Sequence, residues 1–184
     1  GIQAYPGAHI IGYEMATGRF RDFGIPMPGY SIYAAIAVDK NAKKIYAFMT
    51  PFKPEDREND GCHLYSIDIE SGEMKDLGMV VKGKGCSFYF YIDDKGNVWF
   101  TLKKRGFAKY DHDHGNLYVY RPSTEKIDTL QNVLPMGQLI DGTRTTAKQD
   151  TQRSWTWLTP IDGGKRCLFI MGPFGGGDER AWIF

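Results

Sequence analysis

The stretch Cys62–Asp94, CHLYSIDIESGEMKDLGMVVKGKGCSFYFYIDD, repeats an earlier part of the chain. Moved back by about 54 residues, it falls without a gap on Ala8–Lys40, AHIIGYEMATGRFRDFGIPMPGYSIYAAIAVDK. His9 meets His63, Gly18 meets Gly72, Asp22 meets Asp76, Gly24 meets Gly78, Gly29 meets Gly83 and Asp39 meets Asp93. A third copy follows after about 53 residues, where Asn116–Gln131, NLYVYRPSTEKIDTLQ, lies on His63–Gly78. Self-similarity at a fixed period, roughly 20 to 50 residues in the common cases, marks a fold in which one supersecondary unit is used several times. The repeat therefore constrains architecture more tightly than chemistry.

Each copy reads as four short strands. In one, Tyr30–Val38 and Ile45–Met49 flank the turn DKNAK, and HLYSIDI and EMKDLG flank Glu70-Ser71-Gly72. In the next, SFYFYI and VWFTL flank Asp94-Lys95-Gly96-Asn97, and NLYVYRP and KIDTL flank Ser123-Thr124. Short runs rich in β-branched and aromatic residues, bounded by Gly, Asp, Asn or Ser, are strand and hairpin signals. No long apolar run has a helical period with caps, so helices should be rare.

Along the third strand of each copy one side carries Ile11, Tyr65 and Tyr118, then Tyr13, Ile67 and Tyr120. The other side carries Ile10, Leu64 and Leu117, then Gly12, Ser66 and Val119. A sheet apolar on both sides, bulky on one and smaller on the other, is covered on both. The pattern predicts an all-β chain of four-stranded antiparallel sheets stacked face to face, the blades of a β-propeller. A parallel β-helix, the competing repeat fold, has shorter rungs and lacks two-residue hairpin turns.

Leu64-Tyr65-Ser66-Ile67-Asp68 with Ser71-Gly72, and Asp93-Asp94-Lys95-Gly96-Asn97-Val98-Trp99-Phe100, resemble the LYxxDxxTG and DxxGNxWF phrases of a large propeller superfamily. It includes virginiamycin B lyase, the two-component-regulator propellers and the propeller-fold polysaccharide lyases. The resemblance covers nearly the whole chain as a fold, and its motifs are structural phrases of a blade, so function must come from the site. It also implies a secreted or periplasmic location.

At 184 residues and about 54 per repeat the chain holds about three and a half blades, against the roughly four to eight of closed rings. We place them at about 1–25 (outer hairpin only), 30–80, 85–130 and 154–184 (incomplete), in a single partial propeller domain spanning 1–184. The expectation is a portion of a larger ring, closed by further chain segments or another chain, because a strand left at an edge is a liability. The formal net charge is +1, and Lys103-Lys104-Arg105 is the longest run of like charge. A nucleic-acid partner calls for a larger positive surplus, and no apolar run is long enough to span a membrane. Cys62, Cys86 and Cys167 have no metal-type spacing and read as small buried side chains.

The loops joining the second strand to the third open at one end of the stack, beside the channel of a ring. Loop 51–61, PFKPEDRENDG, is acidic on balance but lacks the alternate ligand spacing of a calcium loop. Loop 103–115, KKRGFAKYDHDHG, carries Lys103, Lys104, Arg105, Phe107, Tyr110, His112 and His114. If that segment is extended, His112 and His114 point the same way and could share a divalent metal, though two imidazoles need a further ligand and no reading of the chain requires the ion. The long crossing 131–153 adds Arg144 and Arg153, cations able to pair a carboxylate. His9 and His63, at one repeat position, are expected to do a structural job such as holding a loop carbonyl.

Two functions fit these residues. One is a ligand-binding or protein-interaction module, docking a carbohydrate or a protein on the face built by loops 51–61, 103–115 and 131–153, with Lys103, Lys104, Phe107 and Arg153 in contact. The other is a propeller-fold polysaccharide lyase acting by β-elimination on a uronate-containing glycan. Such chemistry needs a cation at the carboxylate and a base at the α-proton. Arg105 or Arg144 would neutralise, and His112, His114 or Tyr110 would move the proton. The sequence leaves open whether the chain is an enzyme.

Overall fold

The computed structural model describes residues 7–51, 60–86, 90–104, 116–131, 157–171 and 180–183. Among them the chain is nearly all β, with one single-turn 3-10 segment at Asp162–Gly164. No helix among them is long and apolar enough to cross a membrane.

The first sheet is the antiparallel pair β1 (Ile10–Glu14) and β2 (Arg19–Gly24). The second has four strands in sequence order, β3 (Tyr30–Asp39), β4 (Lys44–Pro51), β5 (Gly61–Asp68) and β6 (Met74–Lys82). In the third region β7 (Lys84–Cys86) precedes β8 (Tyr91–Ile92), and β9 (Val98–Phe100) precedes β10 (Leu102–Lys104), β11 (Leu117–Arg121) and β12 (Lys126–Leu130). There β8, β9, β11 and β12 form a four-stranded sheet, while β7 pairs with β10. The fourth sheet joins β13 (Trp157–Ile161), β14 (Arg166–Met171) and β15 (Arg180–Ile183).

Aspartates close the hairpins. Asp39 accepts the N–H groups of Asn41 and Ala42, and Asp68 those of Glu70 and Ser71. Asp93 accepts the N–H groups of Lys95 (2.9 Å) and Asn97 (2.8 Å), the Asn97 side-chain amide and the Trp99 indole N–H (2.9 Å). Such side-chain caps replace turn hydrogen bonds that the backbone alone would leave open. For Asp93, burial pushes the carboxyl up, but Trp99, Asn97 and the turn amides outweigh it and hold it below its ordinary 3.8. Asp68 is lowered as well, chiefly by the Ser71 N–H and hydroxyl. A carboxylate with a depressed folded pKa contributes stability that is present above its unfolded value and lost as pH falls through its folded one. We expect unfolding midpoints to fall on acidification below 3.8, and Asp93→Asn to flatten that dependence in denaturant titrations at successive pH values.

Both faces of the second sheet are buried over β4 and β5. On one side Tyr46, Phe48, Cys62 and Leu64 pack with Phe90, Val98, Phe100, Tyr118 and Tyr120 of the third region. On the other, Ile45, Ala47 and Ile67 pack with Ile10 of the first sheet, with Phe23 at the margin. Fully burying such side chains is worth about 1.5–3 kcal/mol each. The fourth sheet joins the third where the Tyr91 hydroxyl donates to the Gly164 carbonyl. Cys62 and Cys167 are buried free thiols, and burial pushes Cys167 up to about 12. Such thiols pack rather than react. The side chain of Cys86 lies outside the described residues.

Candidate functional site

A connected polar group stands at the end of the second sheet where β4 leaves toward segment 52–59 and β5 returns. Gly61 opens β5 so close to β6 that a Cβ there would lie 2.3 Å from the Val81 carbonyl oxygen. That approach sets Asp60 beside His63. The Asp60 carboxylate accepts the Gly61 N–H (2.7 Å) and His63 Nε2–H (3.1 Å), and the Tyr30 hydroxyl donates to its other oxygen. The Asp60 backbone carbonyl accepts the Gly83 N–H at 2.8 Å. From its opposite edge His63 Nδ1 donates to Asp76 Oδ2 (3.0 Å), and Asp76 Oδ1 accepts the Gly78 N–H (2.8 Å).

Both ring nitrogens of His63 therefore lie within hydrogen-bond reach of a carboxylate oxygen. The His63 side chain is 16% exposed, Asp60 29% and Asp76 39%, so the imidazole is largely enclosed and the two carboxylates are partly accessible. Burial pushes Asp60 up, but the Tyr30 hydroxyl, the Gly61 N–H and His63 together draw it below its ordinary value. Tyr65, opposite Asp76, is pushed up by burial and then by the Asp76 charge. Both His63 nitrogens are occupied by carboxylates. The group can fix backbone and present carboxylate oxygens to hydroxyl, amide or ammonium donors.

Half of this array recurs in the first sheet. His9 Nδ1 donates to Asp22 Oδ2 (2.9 Å), and Asp22 Oδ1 accepts the Gly24 N–H (2.7 Å). Gly24 (φ 93°) and Gly78 (φ 107°) both take a backbone conformation that favours glycine. The strand registers shift nearby, at Ile10/Ile11 and between Gly61 and Tyr65. The histidine–aspartate pair is thus a clamp across a β-bulge, and His9 and His63 hold carboxylates rather than the loop carbonyls expected of them. Pro6 stands where the second repeat has Asp60, so the fuller array belongs to the second repeat alone of these two. Asn116 and Thr129 occupy the clamp positions of the third.

Of the residues singled out in the sequence, Arg105, Phe107, Tyr110, His112, His114, Arg144 and Arg153 lie outside the described residues. Lys103 and Lys104, expected to open a loop, belong instead to strand β10, paired with Gly85 and Lys84 of β7. β7 follows Gly83, the residue whose N–H holds Asp60, and it touches β5. The strand bearing the two lysines is therefore joined through β7 to the end of the second sheet that carries His63. Among the described residues no group of three or more His, Cys, Asp or Glu side chains is arranged to hold a metal ion. Tyr30, Asp60 and Asp76 were not read as site residues from the sequence. The repeated pattern of His followed by Asp-x-Gly, in His9 with Asp22-Phe23-Gly24 and His63 with Asp76-Leu77-Gly78, was the signal for part of the group.

No protein-family model matches the chain, and no curated protein matches it. Among solved structures it is similar to TolB from Acinetobacter baumannii, at 13% identity and TM-score 0.47, over 93% of this chain and 33% of that one. It is also similar to an oligogalacturonate lyase in complex with manganese, at 10% identity and TM-score 0.45, over 98% of this chain and 54% of that one. A third is oligogalacturonate lyase from Vibrio parahaemolyticus, at 13% identity and TM-score 0.39, over 95% of this chain and 71% of that one. These are β-propeller proteins. The chain spans a third of the TolB chain and about half of the manganese-bound lyase. All three scores lie below 0.5, and no activity of this chain is inferred from them.

Proposed function

We propose that the chain is a ligand-binding module of the β-propeller kind, a partial domain with blades at about 1–25, 30–80, 85–130 and 154–184. Its recognition face is built by loops 51–61, 131–153 and the segment 103–115, which starts in the last two residues of β10, and its ligand is a carbohydrate bearing carboxylates. One observation carries this reading: the array of Tyr30, Asp60, His63 and Asp76 fixes the base of the first of those loops. Binding residues sit on loops that a rigid scaffold positions. An imidazole held at both nitrogens serves as scaffold better than as an acid or base. The cations Lys103, Lys104, Arg105, Arg144 and Arg153 suit a uronate carboxylate by their chemistry, and Phe107 and Tyr110 suit the apolar face of a sugar ring.

Calorimetric titration with oligogalacturonides tests it, with uncharged oligosaccharides of the same length as the comparison. We expect binding selective for the uronate chain. Replacing both Lys103 and Lys104 by alanine should weaken it about tenfold or more, since each 1.4 kcal/mol is a factor of ten. Equal or absent binding of both sugars would overturn the reading. The same mixtures are to be followed for the ultraviolet absorbance of an unsaturated uronate. Its growth, abolished by Tyr110→Phe or by replacing His112 and His114, would replace the binding module with the lyase.

A further inference from the structure

The imidazole of His63 meets a carboxylate at each ring nitrogen, with Nε2 3.1 Å from Asp60 Oδ1 and Nδ1 3.0 Å from Asp76 Oδ2. A neutral imidazole has one N–H and one lone pair, whereas an imidazolium has two N–H groups. An ionised carboxylate only accepts, so both contacts are hydrogen bonds only while the ring carries its second proton. Burial raises the Asp60 carboxyl, but the Tyr30 hydroxyl, the Gly61 N–H and His63 outweigh it and hold it below 3.8. Asp60 is therefore ionised in the range where histidines change charge. Of the other elements packed around the ring, β3 brings Tyr30, edge-on at 5.9 Å with its hydroxyl donated to Asp60 Oδ2. The register partners of His63, Met49 on β4 and Met79 on β6, are uncharged, and Lys82, opposite Gly61 on β6, is exposed.

The first sheet shows which contact survives with a single proton. His9 makes the Nδ1 contact alone, to Asp22 at 2.9 Å, and Pro6 stands at the position of Asp60. One N–H on Nδ1 is enough for that clamp. With one proton, His63 keeps the same contact to Asp76, and its Nε2 lone pair then faces Asp60 Oδ1. Two acceptors at that distance repel. Asp76 lies within β6 and also accepts the Gly78 N–H, whereas Asp60 stands just ahead of β5 and is the freer of the two.

We infer that His63 Nε2 and Asp60 form a proton-operated latch. The imidazolium holds Asp60 at the start of β5 through a charge-assisted bond. When the Nε2 proton leaves to water, Asp60 is let go and the Asp76 clamp stays shut. The Asp60 carbonyl accepts the Gly83 N–H at 2.8 Å, one residue before β7, so the latch ties the crossing from the second sheet into β7 to the charge on one histidine. It is a device of the scaffold, independent of what the loops bind.

A pH titration of the intact, isotope-labelled chain by NMR, from about pH 5 to 8, spans the charge change of histidine. At the alkaline end His63 should show a protonated Nδ1 and a bare Nε2, and the Gly83 amide should shift with the same midpoint as the His63 ring. Hydrogen exchange at Gly83, corrected for its intrinsic pH dependence, should quicken by about threefold or more across that midpoint, with Gly78 unchanged. His63→Gln has no such proton to lose and should leave the corrected Gly83 exchange flat. Asp60→Asn should do the same, because its amide can donate to the bare Nε2. Loss of the Nδ1 proton in place of the Nε2 proton, a Gly83 amide indifferent to the titration, or the same quickening in His63→Gln would each overturn the inference.

Discussion

Phe48→Ala is expected to destabilise the chain by about 3–5 kcal/mol, the range for deleting a buried phenylalanine. Phe48 is fully buried, with ring centroids 4.4 Å from Phe90 and 4.8 Å from Phe100. It belongs to β4 but both neighbours belong to the third region, so alanine opens a void between sheets rather than within one. Neither side can collapse into it without shifting a hydrogen-bonded ladder. Set against a total of about 5–15 kcal/mol for an ordinary domain, such a loss leaves little. Urea unfolding followed by circular dichroism checks the figure. Phe20→Ala is the control: that side chain is 76% exposed, and its change should stay within about 0.5 kcal/mol. A Phe48–Phe90 double-mutant cycle should return a coupling of about 0.5–1.5 kcal/mol for the ring pair. A Phe48→Ala loss no larger than the control would mean that the second and third sheets do not pack as described.

Gly61→Ala should cost about 1–3 kcal/mol, the usual penalty for overpacking, and act on the site as well. The added methyl would meet the Val81 carbonyl oxygen at 2.3 Å and the Val81 carbonyl carbon at 3.1 Å, and both are backbone atoms of the neighbouring strand. No side-chain rotation relieves that contact, so β5 and β6 must part. Parting them moves Asp60 and His63, which are held on the two sides of Gly61. Stability and ligand affinity should fall together in this variant. His63→Gln should separate them, because the amide keeps one donor and the backbone stays in place. Equal unfolding midpoints for wild type and Gly61→Ala would show that the two strands have slack.

The all-β character was legible because the strand period, the turn residues and the copied phrases agree at every level. Leu64 and Ile67, assigned from alternation to opposite faces, are buried in two different clusters. The polar array was not legible, for a physical reason. Tyr30 and Asp60 are 30 residues apart and His63 and Asp76 are 13 apart, and they meet across strands whose registers slip. A one-residue slip moves a side chain to the other face, and strict alternation cannot place such residues. The same limit applies to β3, whose register breaks between Ile32 and Ile36. Lys103 and Lys104 were read as loop because Leu102 is the last apolar residue of its run, whereas the ladder with β7 carries the strand two residues further.

The bulge clamps and the face-to-face contacts share a property that bears on how the chain comes apart. Among the described residues the first, second and fourth sheets are each made from one contiguous stretch of chain, and the buried clusters lie between sheets that are neighbours in sequence. Free energy in such an array is a sum of nearest-neighbour terms, with little cooperativity between distant members. The second and third sheets each have two neighbours among the described sheets, so together they are the kernel of the array. Heating or denaturant should fray the array from its ends, and the last protected amides should belong to β4 and β5, the strands that carry Phe48 and His63.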